Sequence, residues 1–248
     1  MSAEYLIYLL AGAAAGGFIN GLAGFGTSLF ALGWWLQIME PRAAVAVVLA
    51  MSVASGLQGV WVVRRAVEPR RLARFLIPGL VGIPIGLQIL ERIDATTLKL
   101  MVAAFLLVYG VYFTVRRALP ALEGDRPVTD MGVGFAGGIL GAVAGLSGAL
   151  PTMWLSLRAW AKEKTRAVLQ PYNVVILGLS AVALAFAGAY TWDVVIAMAV
   201  AFPATMLAAQ GGIWLFARLS DTQFRRLLIA LMLISGVVIL VREGFGTA

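Results

Sequence analysis

The sequence predicts an all-α polytopic membrane protein built from two inverted-topology repeats, and three observations support this fold class. Of the 248 residues, 61% are hydrophobic and only 12% are charged, whereas soluble domains contain about 25% charged residues. Many stretches carry no charged side chain, and a helix needs roughly 20 apolar residues to span a bilayer. A glycine-rich pattern also occurs twice, and the basic residues of corresponding loops differ between the two halves.

Charge-free runs mark the predicted helices. Such a density of long apolar runs is typical of membrane spans, so a large buried domain of a soluble protein is a poor alternative. No lysine or arginine precedes Arg42, so we expect the first run to be a helix of the protein and not a cleaved signal peptide. The runs are 5–39, 43–63, 75–90, 100–115, 131–157, 167–192, 194–217 and 227–241.

The first and fifth runs contain the repeated glycine pattern. Residues 16–26 are GGFINGLAGFG and residues 137–147 are GGILGAVAGLS, so each copy has GG, five residues, AG and a large apolar residue. As one helix, run 5–39 would be about 52 Å long, which exceeds a hydrocarbon core of about 30 Å. Each copy is therefore predicted to be a glycine-broken helical hairpin. The sequence leaves open whether the hairpins are re-entrant or fully crossing.

Three transmembrane helices are predicted after each hairpin. They make a total of six spans plus two hairpins, or ten spans if the hairpins cross. The chain is accordingly divided into a first membrane repeat at 1–118, a cytoplasmic linker at 119–130 and a second membrane repeat at 131–248. The predicted spans are 43–63, 75–90 and 98–115 in the first repeat, and 167–188, 194–216 and 225–241 in the second.

The basic residues predict the orientation of the loops. Segments 64–74, 116–130, 158–166 and 218–226 hold 15 of the 19 lysine and arginine residues, and the positive-inside rule places them in the cytoplasm. Segments without basic residues, among them 189–193, are placed outside. The bias reverses between corresponding loops of the two halves, which indicates inverted repeats. Both termini are then predicted to lie outside.

The glycine breaks also predict a binding site. Interrupted hydrophobic segments at matching positions of two halves are typical of the substrate site of a transporter. New helices are predicted to begin near Thr27 and near Ser147, and the first N–H groups of a helix are unpaired and lie at the positive end of its dipole. Two such helix starts can bind an anion without a charged side chain. The alternative for most of the glycines is close helix packing.

Candidate substrate-binding residues come from both breaks and from the polar residues beside Pro171. Gln170 and Asn173 are three positions apart and share one helix face, and their amides can donate hydrogen bonds to an anion. An interhelical bond at the Pro171 kink is the alternative for this pair. The candidates are Asn20, Gly24, Gly26, Thr27, Ser28, Gly145, Ser147, Gly148, Gln170 and Asn173.

The composition excludes several functions. The chain has no cysteine and no histidine, which excludes disulfides, thiol catalysis and metal sites built on these residues. An enzyme is not expected, because the charge-free runs hold no carboxylate for acid–base or nucleophilic chemistry. No GxxxxGK[ST] loop occurs, so neither ATP drive nor a cofactor is expected. The net charge of +7 fits cytoplasmic loops of a membrane protein and not nucleic-acid binding.

The chain resembles the sulfite exporter TauE/SafE family of permeases. The resemblance rests on residues 141–151 (GAVAGLSGALP), on residues 166–173 (RAVLQPYN), on the weaker N-terminal copy and on the length. It implies a small, internally duplicated protein of a prokaryotic cytoplasmic (inner) membrane that moves sulfite or organosulfonates, mostly outward. The N-terminal copy has Gly26-Thr27 where the second has Ser147-Gly148, so the two halves of the site are expected to differ.

Three functions are compatible with these features. The leading hypothesis is a secondary transporter that exports small sulfur-containing anions by alternating access, with substrate bound at the two glycine breaks. The alternatives are an anion channel on the same scaffold and a non-transporting membrane subunit or scaffold. The expected partners are a small anionic substrate and the lipid bilayer; a homo-oligomer is compatible with the sequence. The sequence leaves three alternatives for how transport is driven. Na⁺ could bind the backbone carbonyls at the glycine breaks, transport could be uncoupled outflow of the substrate, or the external carboxylates of Asp94, Asp193, Glu40 and Glu91 could take part in ion coupling.

Overall fold

Nine α-helices are formed by the residues that the computed structural model describes, which are 2–115, 122, 124–158, 160–220, 222–223, 226–227, 230, 233, 237 and 241. A single-turn 3-10 helix, Arg64–Ala66, extends the third of them. The helices are α1 (Ala3–Ala23), α2 (Thr27–Trp35), α3 (Pro41–Val63), α4 (Pro69–Leu90), α5 (Ala95–Val115), α6 (Pro127–Ala144), α7 (Ala149–Ser156), α8 (Lys162–Phe186) and α9 (Trp192–Arg218).

Seven helices of the described part are long and apolar enough to cross a membrane: α1, α3, α4, α5, α6, α8 and α9. The prediction of an all-α polytopic membrane protein is therefore confirmed. The predicted span at 225–241 falls largely outside the described residues, as do residues 119–121 and 123 of the predicted linker. Because α6 begins at Pro127, the last four residues of that predicted linker are helical.

The helices α2 and α7 are too short to cross a membrane. They have 9 and 8 residues, which at 1.5 Å per residue is about 12–14 Å, less than half of the hydrocarbon core. α2 returns alongside α1, where Trp35 Nε1 donates a hydrogen bond to the Leu9 carbonyl at 3.1 Å. α7 packs on α6 in the same way. Each glycine-broken segment thus consists of one helix of membrane-spanning length and one short helix.

Glycines in the left-handed backbone conformation follow the first helix of each hairpin. Gly24 has φ +82° after α1, and Gly145 has φ +67° after α6. A residue with a Cβ is strained in this conformation, which glycine adopts freely. On the far side of the reversal the two copies differ, since Gly26 before α2 has φ +98° while Gly148 before α7 has φ −81°.

Glycines also bring helix backbones into direct contact. A Cβ on Gly21 of α1 would lie 2.0 Å from the carbonyl oxygen of Ala209 on α9, and a Cβ on Gly138 of α6 would lie 2.0 Å from that of Gly79 on α4. Contacts this close leave no room for a side chain, and small residues drive helix packing in membranes because they permit such approach. These glycines therefore hold α1 along α9 and α6 along α4.

The helices α3 and α8 join these two pairs. They pack against each other; α3 also contacts α1, α2 and α9, while α8 contacts α4, α6 and α7. The side chains of residues 44–49 on α3 are fully buried in the main apolar core. A smaller core surrounds Phe75 of α4 and Tyr172 of α8, whose rings meet edge to face at 6.5 Å.

A buried ion pair connects the start of α6 to the end of α7. The Asp130 carboxylate accepts hydrogen bonds from Arg158 Nη2 at 3.2 Å and from Trp154 Nε1 at 2.6 Å, and the charged side chains are 5% and 3% exposed. Arg74 of α4 approaches the same carboxylate to 4.0 Å and pairs with Asp125 at 3.0 Å. This network therefore links α4, α6 and the segment before α6.

We expect Asp130→Asn to destabilise the protein by about 3–5 kcal/mol, because it leaves the Arg158 guanidinium buried without a charge partner. Chemical unfolding in detergent would measure the loss. Asp125→Asn is the matched control, since that carboxylate is 61% exposed and exposed pairs contribute little. The Arg74 guanidinium lowers the pKa of Asp125, so the control pair is present at neutral pH. Equal losses in the two variants would contradict the structural role of the buried pair.

Candidate functional site

The chain reverses direction at residues 24–26, between α1 and α2, and at residues 145–148, between α6 and α7. A cavity lies between these two chain reversals, and seven of the ten predicted site residues line it. Two come from the first hairpin, three from the second and two from α8. The predicted side chains from distant parts of the sequence therefore meet in one place. The seven are Asn20, Gly26, Gly145, Ser147, Gly148, Gln170 and Asn173.

The other three predicted residues, Gly24, Thr27 and Ser28, lie beside the cavity and do not line it. The carbonyl oxygen of Gly24 accepts a hydrogen bond from Asn173 at 2.9 Å. Thr27 and Ser28 open α2, and their buried hydroxyl oxygens have no hydrogen-bond partner among the described residues. Ser28 also packs against Gly145, where an added Cβ would lie 2.3 Å from its Oγ. Two unused hydroxyl donors are thus available close to the site.

The side chain of Asn173 contacts both chain reversals. Its Nδ2 donates to the Gly24 carbonyl, and its Oδ1 accepts from the Ser147 hydroxyl at 2.8 Å. One turn earlier on α8, Gln170 Nε2 donates to the Gly56 carbonyl of α3 at 3.1 Å. Both amides therefore make the interhelical hydrogen bonds that were the alternative for them, and both also line the cavity.

Asn20 connects α1 to α3 on the other side of the cavity. Its Nδ2 donates to the carbonyl oxygen of Ser52 at 3.1 Å and to the hydroxyl of Ser55 at 2.6 Å. The Ser52 hydroxyl is buried without a partner among the described residues, and Ser52 lines the cavity. The polar lining therefore consists of amides and hydroxyls, which donate to an anion without carrying charge.

The starts of α2 and α7 both lie at the cavity. The residue before each helix lines it, Gly26 for α2 and Gly148 for α7, and so does a residue of each first turn, Leu29 and Ala149. The first N–H groups of a helix have no partner within the helix and carry its positive dipole end. Two helix starts at one cavity are suited to holding an anion.

The cavity has a small volume. The space open to the centre of a water molecule is about 10 Å³, which is roughly the room for one water. A sulfur oxyanion has several heavy atoms and needs more space. The cavity as it stands is therefore too small for such an anion.

Arg166 is a buried cation beside the cavity that sequence analysis did not select. Counting basic residues assigned it to loop segment 158–166, but α8 begins at Lys162 and Arg166 is 2% exposed. Its Nη2 donates to the Gly21 carbonyl at 2.7 Å, and its Nε donates to Gln170 Oε1 at 3.4 Å. The available signal was spacing, since positions 166, 170 and 173 lie on one helix face.

Apolar and small residues complete the lining. Phe25 and Leu146 are the large apolar residues that follow AG in the two copies of the pattern, so the repeat itself could have identified them. The remaining lining residues of α3 and α8 carry no local signal, because only the folded arrangement brings them to the reversals. The lining residues outside the predicted set are Phe25, Leu29, Ser52, Gly56, Leu146, Ala149 and Leu177.

Comparison with known proteins identifies a family. The family model described as sulfite exporter TauE/SafE matches residues 8–239, a range that contains both reversals and every residue of the cavity. No curated protein sequence matches the chain.

Proposed function

The chain belongs to the sulfite exporter TauE/SafE family of membrane permeases, and from this premise we propose that it is a secondary transporter that exports small sulfur-containing anions such as sulfite or organosulfonates. The observation that carries the proposal is the cavity between the two chain reversals. Two helix starts, three amides and the hydroxyls of Ser52 and Ser147 converge there. The described residues that line it include no carboxylate to repel an anion.

We propose that residues 1–118 and 131–248 are inverted repeats joined by the linker 119–130. The helix contacts support this arrangement, because α1 on α9 has a counterpart in α6 on α4. Gly17 lies against Thr205, and Gly138 lies against Gly79. Gly17 and Gly138 are separated by 121 positions, which is the spacing of the glycine pattern.

Alternating access follows from this pairing. The hairpin of each repeat is attached to a helix of the other repeat, so α1 and α2 would move with α9, and α6 and α7 with α4. Movement of these two groups about α3 and α8 would open the cavity to one side at a time. The small volume of the cavity is consistent with a closed state between the two open ones.

We place the protein in the cytoplasmic membrane of a prokaryote, with both termini outside. Asp94, which precedes α5, is one of the carboxylates that could carry a coupling proton. The Thr97 N–H and hydroxyl donate to its carboxylate at 2.8 and 2.7 Å, and these bonds lower the pKa of Asp94. It therefore stays ionised near neutral pH and is a poor proton carrier. Asp193, Glu40, Glu91, Na⁺ and uncoupled outflow stay as the alternatives for coupling.

The first test is anion-dependent thermal stabilisation of the purified protein. We expect sulfite or a sulfonate to raise Tm by roughly 5 °C or more at a concentration about 100-fold above Kd, because a ligand at that level stabilises the folded state by about 2.7 kcal/mol. Sulfate, chloride, thiosulfate and an uncharged solute complete the panel. Ser147→Trp should abolish the response, because Ser147 lines the cavity and an indole would fill it.

Gly132→Trp is the matched control for this test. Gly132 is an exposed residue of α6, and a Cβ added there would meet no atom within 4 Å. Sulfite flux into proteoliposomes would then identify the class of protein. Saturable flux with counterflow supports a transporter, whereas flux that never saturates indicates the channel alternative. A folded wild-type protein that neither binds nor moves any anion of the panel would contradict the proposed function.

A further inference from the structure

Arg166 is a charged side chain enclosed in the membrane-spanning part of the protein. It lies one helical turn before Gln170 on α8 and is 2% exposed. Its guanidinium is in contact with groups of three helices: the Gly21 carbonyl of α1, Gln170 of α8 itself, and the ring of Phe216 on α9 at 4.3 Å. None of these three groups is a carboxylate.

The charge of Arg166 is not balanced within the described part of the chain. Those residues place no carboxylate within 4.0 Å of its guanidinium, and its Nη1 is buried without a hydrogen-bond partner among them. A buried charge is costly unless it is paired and its donors are satisfied. A carbonyl and an amide oxygen orient the group but leave its positive charge uncompensated.

Arg158 provides the contrast within the same molecule. It is also buried, at 7% exposed, but its guanidinium pairs with the Asp130 carboxylate at 3.2 Å. That arginine has the partner expected of a structural ion pair. Arg166 is buried at least as deeply, at 2% exposed, and has no such partner, so its arrangement fits a group that receives an external anion.

The position of Arg166 relates it directly to the cavity. Its Nε is 3.4 Å from the Oε1 of Gln170, which lines the cavity, and its Cγ would lie 3.4 Å from a Cβ on Gly24 of the first reversal. Arg166 is on the side of the cavity where α8 begins. The other basic residues of segment 158–166 predict that this side is cytoplasmic, where an exported anion would enter.

We propose that Arg166 binds the substrate oxyanion between the cytoplasm and the cavity, through two parallel N–H···O bonds to a sulfite or sulfonate group. The proposal rests on the transport function proposed above. The planar guanidinium presents its donors as a fork that matches two oxygens of one group, whereas a lysine ammonium acts as a point charge. Chloride offers a single acceptor atom, so Arg166 would favour oxyanions over chloride.

The test compares Arg166→Gln and Arg166→Lys with the control Arg70→Gln. Arg70 is exposed and belongs to segment 64–74, which is predicted to lie on the same cytoplasmic side. Binding of sulfite, methanesulfonate and chloride is measured by calorimetry, and sulfite flux in proteoliposomes. We expect Arg166→Gln to weaken sulfite binding at least 100-fold. Arg166→Lys should weaken it about 10-fold and reduce the preference for sulfite over chloride, because charge remains and the fork is lost. Arg70→Gln should match the wild type.

A second variant tests the same cation without changing it. Gln170→Glu would put a carboxylate at the atom that is now 3.4 Å from Arg166 Nε and so pair the guanidinium internally. We expect this protein to fold and to lose sulfite binding. If Arg166→Gln does not fold, Arg166→Lys carries the test, because a carboxylate at position 170 also adds negative charge to the cavity wall.

The outcomes separate this proposal from the transport function. Wild-type affinity and an unchanged sulfite-to-chloride preference in Arg166→Lys, or retained sulfite binding in folded Gln170→Glu, would overturn the role of Arg166 while leaving the transporter intact. A wild-type protein without binding or flux of any anion would instead refute the transport function, and this proposal with it. Loss of oxyanion preference in the lysine variant alone, with the Arg70→Gln control normal, would support the proposal.

Discussion

Replacing Gly138 with leucine is expected to prevent α6 from packing on α4 and to leave little folded protein. A Cβ at this position would lie 2.0 Å from the carbonyl oxygen of Gly79 and 2.7 Å from its carbonyl carbon. These are backbone atoms of a helix, so they cannot turn aside as a side chain can. Overpacking a core typically costs about 1–3 kcal/mol, and a clash with backbone on this scale should exceed that range. Proteins of ordinary stability, about 5–15 kcal/mol, tolerate few such losses.

Gly132→Leu on the same helix is the matched control. A Cβ on Gly132 would meet no atom within 4 Å, and leucine favours helix more than glycine does. The yield of monodisperse protein after gel filtration and its Tm in detergent measure both variants. Normal behaviour of Gly132→Leu beside failure of Gly138→Leu supports close backbone packing. A well-folded Gly138→Leu would show that α6 and α4 do not meet as described.

Much of the helical architecture could be predicted because charged residues and proline bound the spans. Run 43–63 corresponds to α3, Pro41–Val63, since Pro41 suits the first turn of a helix and Arg64 ends the apolar run. The glycine pattern likewise located the ends of α1 and α6, because the left-handed conformation at Gly24 and Gly145 favours the one residue without a Cβ. Local chemistry decides these features, so local sequence reveals them.

Other features depend on distant contacts and could not be predicted. α2 ends at Trp35, but run 5–39 continues without charge past that residue and gives no signal of the helix end. Arg166 was missed because counting basic residues treats each arginine as part of a loop. Its burial involves contacts with α1 and α9, through the Gly21 carbonyl and the Phe216 ring, and these distant contacts cannot be read from the sequence around position 166.

The second large effect is expected from Asn173→Asp, which should abolish binding of anionic substrates. The substitution keeps nearly the same shape and the acceptor for the Ser147 hydroxyl. It replaces the donor to the Gly24 carbonyl, now 2.9 Å away, with an oxygen that repels it. It also adds a negative charge to a wall of the cavity. At about 4 Å and an effective dielectric constant of about 20, two like charges cost roughly 4 kcal/mol, which is nearly 1,000-fold in affinity.

Asn173→Ala separates the effect of charge from that of the lost hydrogen bonds. It removes both bonds and adds no charge, so we expect the free energy of sulfite binding to fall by about 1–3 kcal/mol, which is less than the loss expected for the aspartate variant. Ser180→Ala is the control for α8, because that buried hydroxyl donates only to the Ile176 carbonyl of its own helix, at 2.8 Å. Sulfite affinity is measured for all three proteins. If Asn173→Asp lost no more affinity than Asn173→Ala, the anion would not bind near this residue, and the substrate site would lie away from the two reversals.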